Sequence, residues 1–466
     1  MSVALPAQAF CGFYVSSAGG QLFNDATNVT LMRDGTRTVL SMQNNYRGPA
    51  QDFAMVVPVP VILQKENVRT LQKSAFERLD TLASPRLVEM YTEMVPCAMP
   101  VMRMAMSDGA EPATANKPPR DLGVKVEAQF SVDEYEIVIL SAKDALGLDI
   151  WLKENKYKIP DGAEPLLRPY VQNGSKFFVA KVNAKKVKFA KDGSAILSPL
   201  RFHYDSEKFE LPVRLGLMNS SGTQDLIVHI IAKGRYEVAN RPNVTIPTNL
   251  DVKLAVQPVF GAFYSDLVAR TFEKNPKAAI TEFAWQGALP PPEVMVESGI
   301  YGVTCDPCPP PHPADDPLAR NLGADVMPGV KGDAAVAKFA RESTITRLHL
   351  RYTKDSLTDD LVFKLVDPIH GGIPGVAKTE PAKANRFQGR YVMWRKGSAC
   401  SGGFGGASNS IVSGGLAGTN GVQASAAKLT MAFPEYLVTD IPELDITAKG
   451  KTPAPGEGTP PAPPKK

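Results

Sequence analysis

Val29-Thr30-Leu31-Met32-Arg33-Asp34-Gly35-Thr36-Arg37-Thr38-Val39-Leu40-Ser41-Met42 carries two β-branched, apolar runs on either side of Asp34-Gly35. Strand-like alternation flanking an Asp-Gly pair predicts a β-hairpin, because the pair tolerates the positive φ of a tight hairpin turn. A third run, Phe53-Ala54-Met55-Val56-Val57, follows the breaker Arg47-Gly48-Pro49. Short strands joined by short turns favour antiparallel pairing.

Downstream the period changes. Leu71, Phe76, Leu79, Leu82, Leu87, Val88 and Tyr91 recur at helical spacing, which predicts a helical segment near 68–95. Ser84-Pro85 reads as the cap and first-turn proline of a second helix there. A small α/β insertion is expected near 123–190: a strand at 136–140, a helix at 142–155 with Leu146, Ile150 and Trp151 on one face, a short helix at 165–172, and a strand at 177–182. Lys185-Lys186-Val187-Lys188 alternates like a solvated strand face. Strands are expected at 211–217, 226–231, 346–352, 361–365 and 390–394, and residues 252–285 fit a strand followed by a helix. The expected fold class is α+β, built mainly from antiparallel sheet units, with helices mainly in 68–95 and 142–173.

The 466 residues exceed one ordinary core. Punctuation divides them into a signal-peptide remnant (1–9), a β-rich unit with helices (10–122), a middle α+β unit (123–290), a proline-rich linker with a Cys-x-x-Cys (291–340), a β-rich unit with a glycine-rich loop (341–448) and a disordered Pro/Lys tail (449–466). Hydrophobic residues at 44% and charged residues at 21% describe a globular chain. A net charge of +4 without a dense basic run argues against a nucleic-acid partner. No apolar stretch approaches the roughly 20 residues that span a bilayer. Ala7-Gln8-Ala9 has the small-x-small form of a signal-peptidase site, so cleavage after Ala9 and export are expected.

Cys305-Asp306-Pro307-Cys308 is the sharpest chemical motif. As a redox pair it would want a helix N-terminus to lower the first thiol's pKa, and Pro309-Pro310-Pro311 rule out a regular helix there. As a zinc site it would enlist His312 and Cys400. Structural disulfides in an oxidising compartment fit better, with Cys305 joined to Cys308 or Cys400, and Cys11 to Cys97. His203, His229, His312, His349 and His370 lack the i, i+4 spacing of a helical metal site, and His203 and His349 read as sheet residues. There is no Gly-x-Ser-x-Gly elbow. Gly402-Gly403-Phe404-Gly405-Gly406 lacks the Lys-Ser/Thr of a phosphate loop, and Asp133, Glu134 and Glu136 read as a solvated strand edge. No catalytic residue, cofactor or resident metal is assigned.

Several phrases in shared order resemble one uncharacterised bacterial secreted family, domain of unknown function 2330. They include Cys11-Gly12-Phe13-Tyr14-Val15, the run from Tyr46 to Pro60, Phe76-Glu77-Arg78-Leu79-Asp80 with Pro85-Arg86-Leu87-Val88, and Leu211-Pro212-Val213-Arg214-Leu215-Gly216. Gln224-Asp225-Leu226-Ile227-Val228, Arg235-Tyr236-Glu237-Val238-Ala239-Asn240 and Phe387-Gln388-Gly389-Arg390-Tyr391-Val392 continue it. The resemblance implies an exported protein, periplasmic, outer-surface or extracellular, and supplies no functional residue. The expected role is a non-enzymatic structural or binding protein of the envelope. Its partner would be a protein or a cell-wall polymer, with weak contact to acidic surfaces through the tail. The alternative is an extracytoplasmic enzyme, either a thiol oxidoreductase using Cys305 and Cys308 or a hydrolase assembled from distant loops.

Overall fold

The computed structural model describes residues 13–16, 23–47, 53–93, 124–155, 163–189, 194–219, 222–287, 339, 342–376, 378–398, 411–412 and 433–449. Within them the fold is β-rich with few helices and stacks in four layers. The two largest of its four sheets face each other, and each carries helices on its outer side.

The hairpin predicted at Asp34-Gly35 forms. Phe23–Asp34 and Arg37–Arg47 pair antiparallel, with Asp34 opposite Arg37 and Gly35 at φ 56°. This hairpin opens the larger, mixed sheet. Phe23–Asp34 runs parallel to Gln224–Ala232, which pairs antiparallel with Thr344–Tyr352, itself antiparallel to Ala279–Gln286. The smaller sheet is antiparallel throughout and runs in the order Phe13–Ser16, Phe53–Val59, Lys176–Val182, Tyr135–Ala142, Val124–Val132. Strands from 10–122 and from 123–290 therefore share both sheets.

Alternation assigns the layers. Phe53, Met55, Val57 and Val59 point toward Val29, Leu31, Leu40 and Met42 across the inter-sheet core. Ala54 and Val56 point the other way, onto α2 (Ala145–Glu154) and α3 (Ala163–Gln172). On the far side of the larger sheet, α1 (Ser74–Ala83) packs Leu79 and Ala83 on Met32, Val39 and Ile231. Beside it α4 (Phe260–Lys274) packs Phe263 and Leu267 on Ile280 and Ala284. A period-2 side-chain pattern is what lets one strand serve two cores.

Four local expectations need correction. The second helix of 68–95 is absent: Arg86–Glu93 is a strand, running parallel to Arg390–Ser398. Proline disfavours the helical region for its predecessor, and Ser84 sits at φ −68°, ψ 150°, so Pro85 follows the end of α1 instead of opening a helix. Arg86 N–H then donates to Gly389 O at 2.8 Å. In α2, Asp144 caps the helix through Gly147 N–H, and the buried face is Leu148, Trp151 and Leu152. Leu146 and Ile150 stay 57% and 40% exposed. Residues 211–217 contribute only the end of the short strand Glu210–Leu211 before a 3-10 segment, Arg214–Asn219. The basic run begins as the 3-10 turn Ala184–Lys186, whose Lys186 ammonium donates to Asp133 O. The longest helix among the described residues, α4, lies outside the two regions expected to hold most helix.

Gly372 carries a sharp test of the sheet edge. It sits at φ 64°, and a Cβ there would collide with the Gln388 carbonyl oxygen. Gly372→Ala is expected to destabilise by at least about 2 kcal/mol, from left-handed strain plus a backbone clash. The midpoint of chemical denaturation measures it, and a change within about 0.5 kcal/mol would contradict the placement.

Candidate functional site

Segment 204–214 alternates so that Tyr204, Ser206, Lys208, Glu210, Pro212 and Arg214 all line one pocket. The pocket has a volume of about 230 Å³ and opens at the seam between the two sheets, against the C-terminus of α3. It is smaller than the roughly 300–1,000 Å³ that takes a drug-sized ligand, so it suits one small group. Helix α3 ends with Gly174 at φ 72°, Gly174 N–H on Val171 O and Ser175 N–H on Tyr170 O. That paired closure satisfies the last carbonyls and fixes Tyr170 and Ser175 at the pocket wall.

Asp360 is the pocket's hub. Its Oδ1 accepts from the Tyr170 hydroxyl at 2.7 Å, Val213 N–H at 2.8 Å and Arg214 N–H at 3.1 Å. One carboxylate oxygen thereby joins α3, the 204–214 segment and the strand Leu361–Val366. Arg214 lies over the Tyr170 ring, 5.2 Å from its centroid. Its Nε stands 3.8 Å from Asp360 Oδ1 and finds no hydrogen-bond acceptor among the described residues. Burial, then the Asp360 charge, push the Tyr170 hydroxyl well above its ordinary range, so it stays a donor. Burial raises the Glu210 carboxyl, opposed by Lys208 and reinforced by Asp360.

A second cluster of chemistry-bearing groups lies on the helix-covered face of the larger sheet. Glu282 Oε1 accepts from the Tyr264 hydroxyl of α4 at 2.7 Å, and its Oε2 accepts from Arg347 Nε at 2.7 Å. Arg347 also donates to Asp80 of α1. His349 lies between two carboxylates, Nδ1 at 2.9 Å from Glu282 Oε1 and Nε2 at 3.0 Å from Asp225 Oδ1. Arg351 closes the chain with a two-pronged contact to Asp225 at 2.8 and 3.0 Å.

The protonation states follow from that geometry. Ionised carboxylates only accept, so both His349 nitrogens must donate and the ring is an imidazolium. His349 is accordingly raised above its ordinary value, the cost of burial outweighed first by the Glu282 charge, and Glu282 is lowered to about 2 despite burial, chiefly by His349 and Arg347. Asp80, Asp225 and Glu282 then balance Arg347, His349 and Arg351. Neighbouring His229 is the opposite case: burial, then the Arg347 charge, push it well below the imidazole range, and its Nδ1 meets Asn28 Oδ1 at 3.1 Å. Arg347, Glu282 and Asp225 are at most 3% exposed. This network braces α1 and α4 against three strands. It presents no open position to a substrate.

The residues singled out from the sequence fall elsewhere. Cys11, Cys97, Cys305, Cys308, His312 and Cys400 lie outside the described residues, as do Gly402 to Gly406 and the tail beyond Lys449. His203 is a strand residue whose Nε2 meets Asn67 Nδ2 at 3.1 Å. His370 is 3.7 Å from Glu380 at a sheet edge. Glu134 is buried, not solvated, and accepts from Ser198 N–H at 2.6 Å, while Asp133 accepts from the Thr70 hydroxyl.

The fold and site define a class: a four-layer α/β/β/α protein with a charge-balanced polar brace and a small mixed-charge pocket at the sheet seam. The chain belongs to a bacterial family described as "Uncharacterized protein conserved in bacteria", domain of unknown function 2330, which matches residues 5–364. That span holds the whole pocket and the whole brace. No curated protein and no solved structure matches the chain.

Proposed function

We infer that this chain is an exported envelope or extracellular protein that binds a small group of a protein or cell-wall polymer in the seam pocket and leaves it chemically unchanged. The observation that carries this reading is the unspent capacity of the pocket. Arg214, Lys208 and Glu210 line it, and the Arg214 Nη1 has only a long contact, 3.4 Å, to Thr358 O. The buried brace, by contrast, uses its charges on one another. The lining holds no histidine or cysteine among the described residues, so a Ser-His or Cys-His pair is not assembled there. Export is supported by Ala7-Gln8-Ala9, and at least one disulfide involving Cys305 or Cys308 goes with it.

One observation favours a hydrolase as the second reading: the raised Glu210 carboxyl would suit a general acid. Capture of envelope components on immobilised protein separates the two. Wild type is expected to retain a component that Arg214→Met does not, with residues 449–466 adding little. Release of altered products that Glu210→Gln abolishes would replace binding with catalysis. Reduction of insulin disulfides dependent on both Cys305 and Cys308 would point to the thiol oxidoreductase. Recovery of the protein from cytosol with the bond after Ala9 uncleaved would remove export.

A further inference from the structure

We propose that the pocket receives a small zwitterion of amino-acid or dipeptide size, its carboxylate on Arg214 and its ammonium on Glu210. This rests on the reading that the pocket is the recognition site. It deepens that reading by naming the chemistry of the ligand.

Arg214 supplies the anion end. Its guanidinium lies over the Tyr170 ring, and Nη1 makes a long bond to Thr358 O at 3.4 Å. Asp360 pairs with it only at long range, Nε to Oδ1 at 3.8 Å, because Oδ1 is shared with the Tyr170 hydroxyl and two backbone amides. A fixed fork with donors left over matches a carboxylate in both shape and charge. Lys208, exposed on the same wall, adds positive potential.

Glu210 supplies the cation end. It is partly buried in the pocket wall, two residues from Lys208 and four from Arg214 along the alternating segment. An anion-only ligand would leave this carboxylate facing it in a half-desolvated site, which costs binding energy. A ligand ammonium removes that cost. Burial holds the Glu210 carboxyl partly protonated at higher pH than usual, against the pull of Lys208 and with the help of Asp360. Affinity for the ammonium therefore falls on acidification before the ordinary carboxylate range is reached.

The lining argues against a saccharide held by stacking. Such recognition needs open aromatic faces. Tyr170, Phe202 and Tyr204 are 5%, 0% and 6% exposed, and the Tyr170 face is already covered by Arg214. Charge, not ring surface, is what the pocket offers.

The test is isothermal titration of the full chain with three probes: glycylglycine, N-acetylglycine (carboxylate only) and glycinamide (ammonium only). Each charged hydrogen bond is worth about a tenfold change in affinity or more. Glycylglycine is expected to bind at least about tenfold tighter than either half-charged probe. Arg214→Met should abolish the advantage over glycinamide, and the near-isosteric Glu210→Gln should abolish the advantage over N-acetylglycine. Equal affinity for glycylglycine and N-acetylglycine, unchanged in Glu210→Gln, would overturn the zwitterion and leave an anion pocket. Absence of heat with every probe, alongside Arg214-dependent capture of envelope material, would also overturn it while the recognition site stands. Capture indifferent to both substitutions would remove the site itself.

Discussion

Replacing Arg347 with methionine is expected to cost about 3–5 kcal/mol of unfolding free energy, the range found when one partner of a buried ion pair is removed. Arg347 is 1% exposed and is the cation between Asp80 and Glu282. Without it Asp80, itself only 3% exposed, keeps a charge with no counterion beside it among the described residues. Asp80 sits on α1 and Glu282 on a strand, so the loss loosens the helix from the sheet. Denaturant midpoints at constant slope measure the effect. The double variant Arg347→Met with Asp80→Asn should recover part of the loss, because the two residues share one interaction. Losses that simply add, or a single-variant cost under about 1 kcal/mol, would mean that the brace contributes little.

The same brace sets a stability optimum in mildly acidic solution. Glu282 is lowered from 4.5 to about 2 in the folded chain. Its contribution is therefore present above pH 4.5 and lost as pH falls toward 2, worth about 3 kcal/mol at roughly 1.4 kcal/mol per unit of pKa shift. Asp225, lowered in the folded chain by its partners His349 and Arg351 against the cost of burial, adds in the same direction. His349 has the opposite sign. Its folded value is raised above 6.5, so its contribution is complete below pH 6.5 and lost as pH rises through the folded value. Both contributions are complete between about pH 4.5 and 6.5, where unfolding free energy should peak. Guanidinium unfolding across pH 2–9 tests this. Glu282→Gln should flatten the acid limb and His349→Gln the alkaline limb. An alkaline limb that survives His349→Gln would show that His349 is neutral in the folded chain.

The hairpin at Asp34-Gly35 and the helices around Leu148 and Leu167 are legible because their signals are local: a turn residue and a change of period. The brace is not. Thr344-Ile345-Thr346-Arg347-Leu348-His349-Leu350-Arg351 has the same alternation whether its polar face meets water or other charges. Only the folded chain brings Asp225, Glu282 and Asp80 onto that face. Leu146 and Ile150 mislead for a related reason. Helical spacing identifies a stripe, but the sheet beneath α2 selects Leu148, Trp151 and Leu152. The pocket had a faint sequence signal, since Arg214 lies within one of the phrases that carry the family resemblance, and Ser206, Lys208 and Glu210 alternate toward it. Asp360, about 150 residues further along the chain, had none, because long-range contacts leave no local period.

The account turns on a single division of labour, with recognition in the seam pocket and the buried charges serving as scaffold. The most direct test incubates the purified chain with a peptide-rich digest of bacterial cell wall, then identifies by mass spectrometry what co-elutes with wild type and with Arg214→Met. The account predicts that wild type retains zwitterionic fragments of unchanged mass and that Arg214→Met loses them while unfolding at a similar midpoint. Fragments of altered mass, or equal retention by the two proteins, would contradict it.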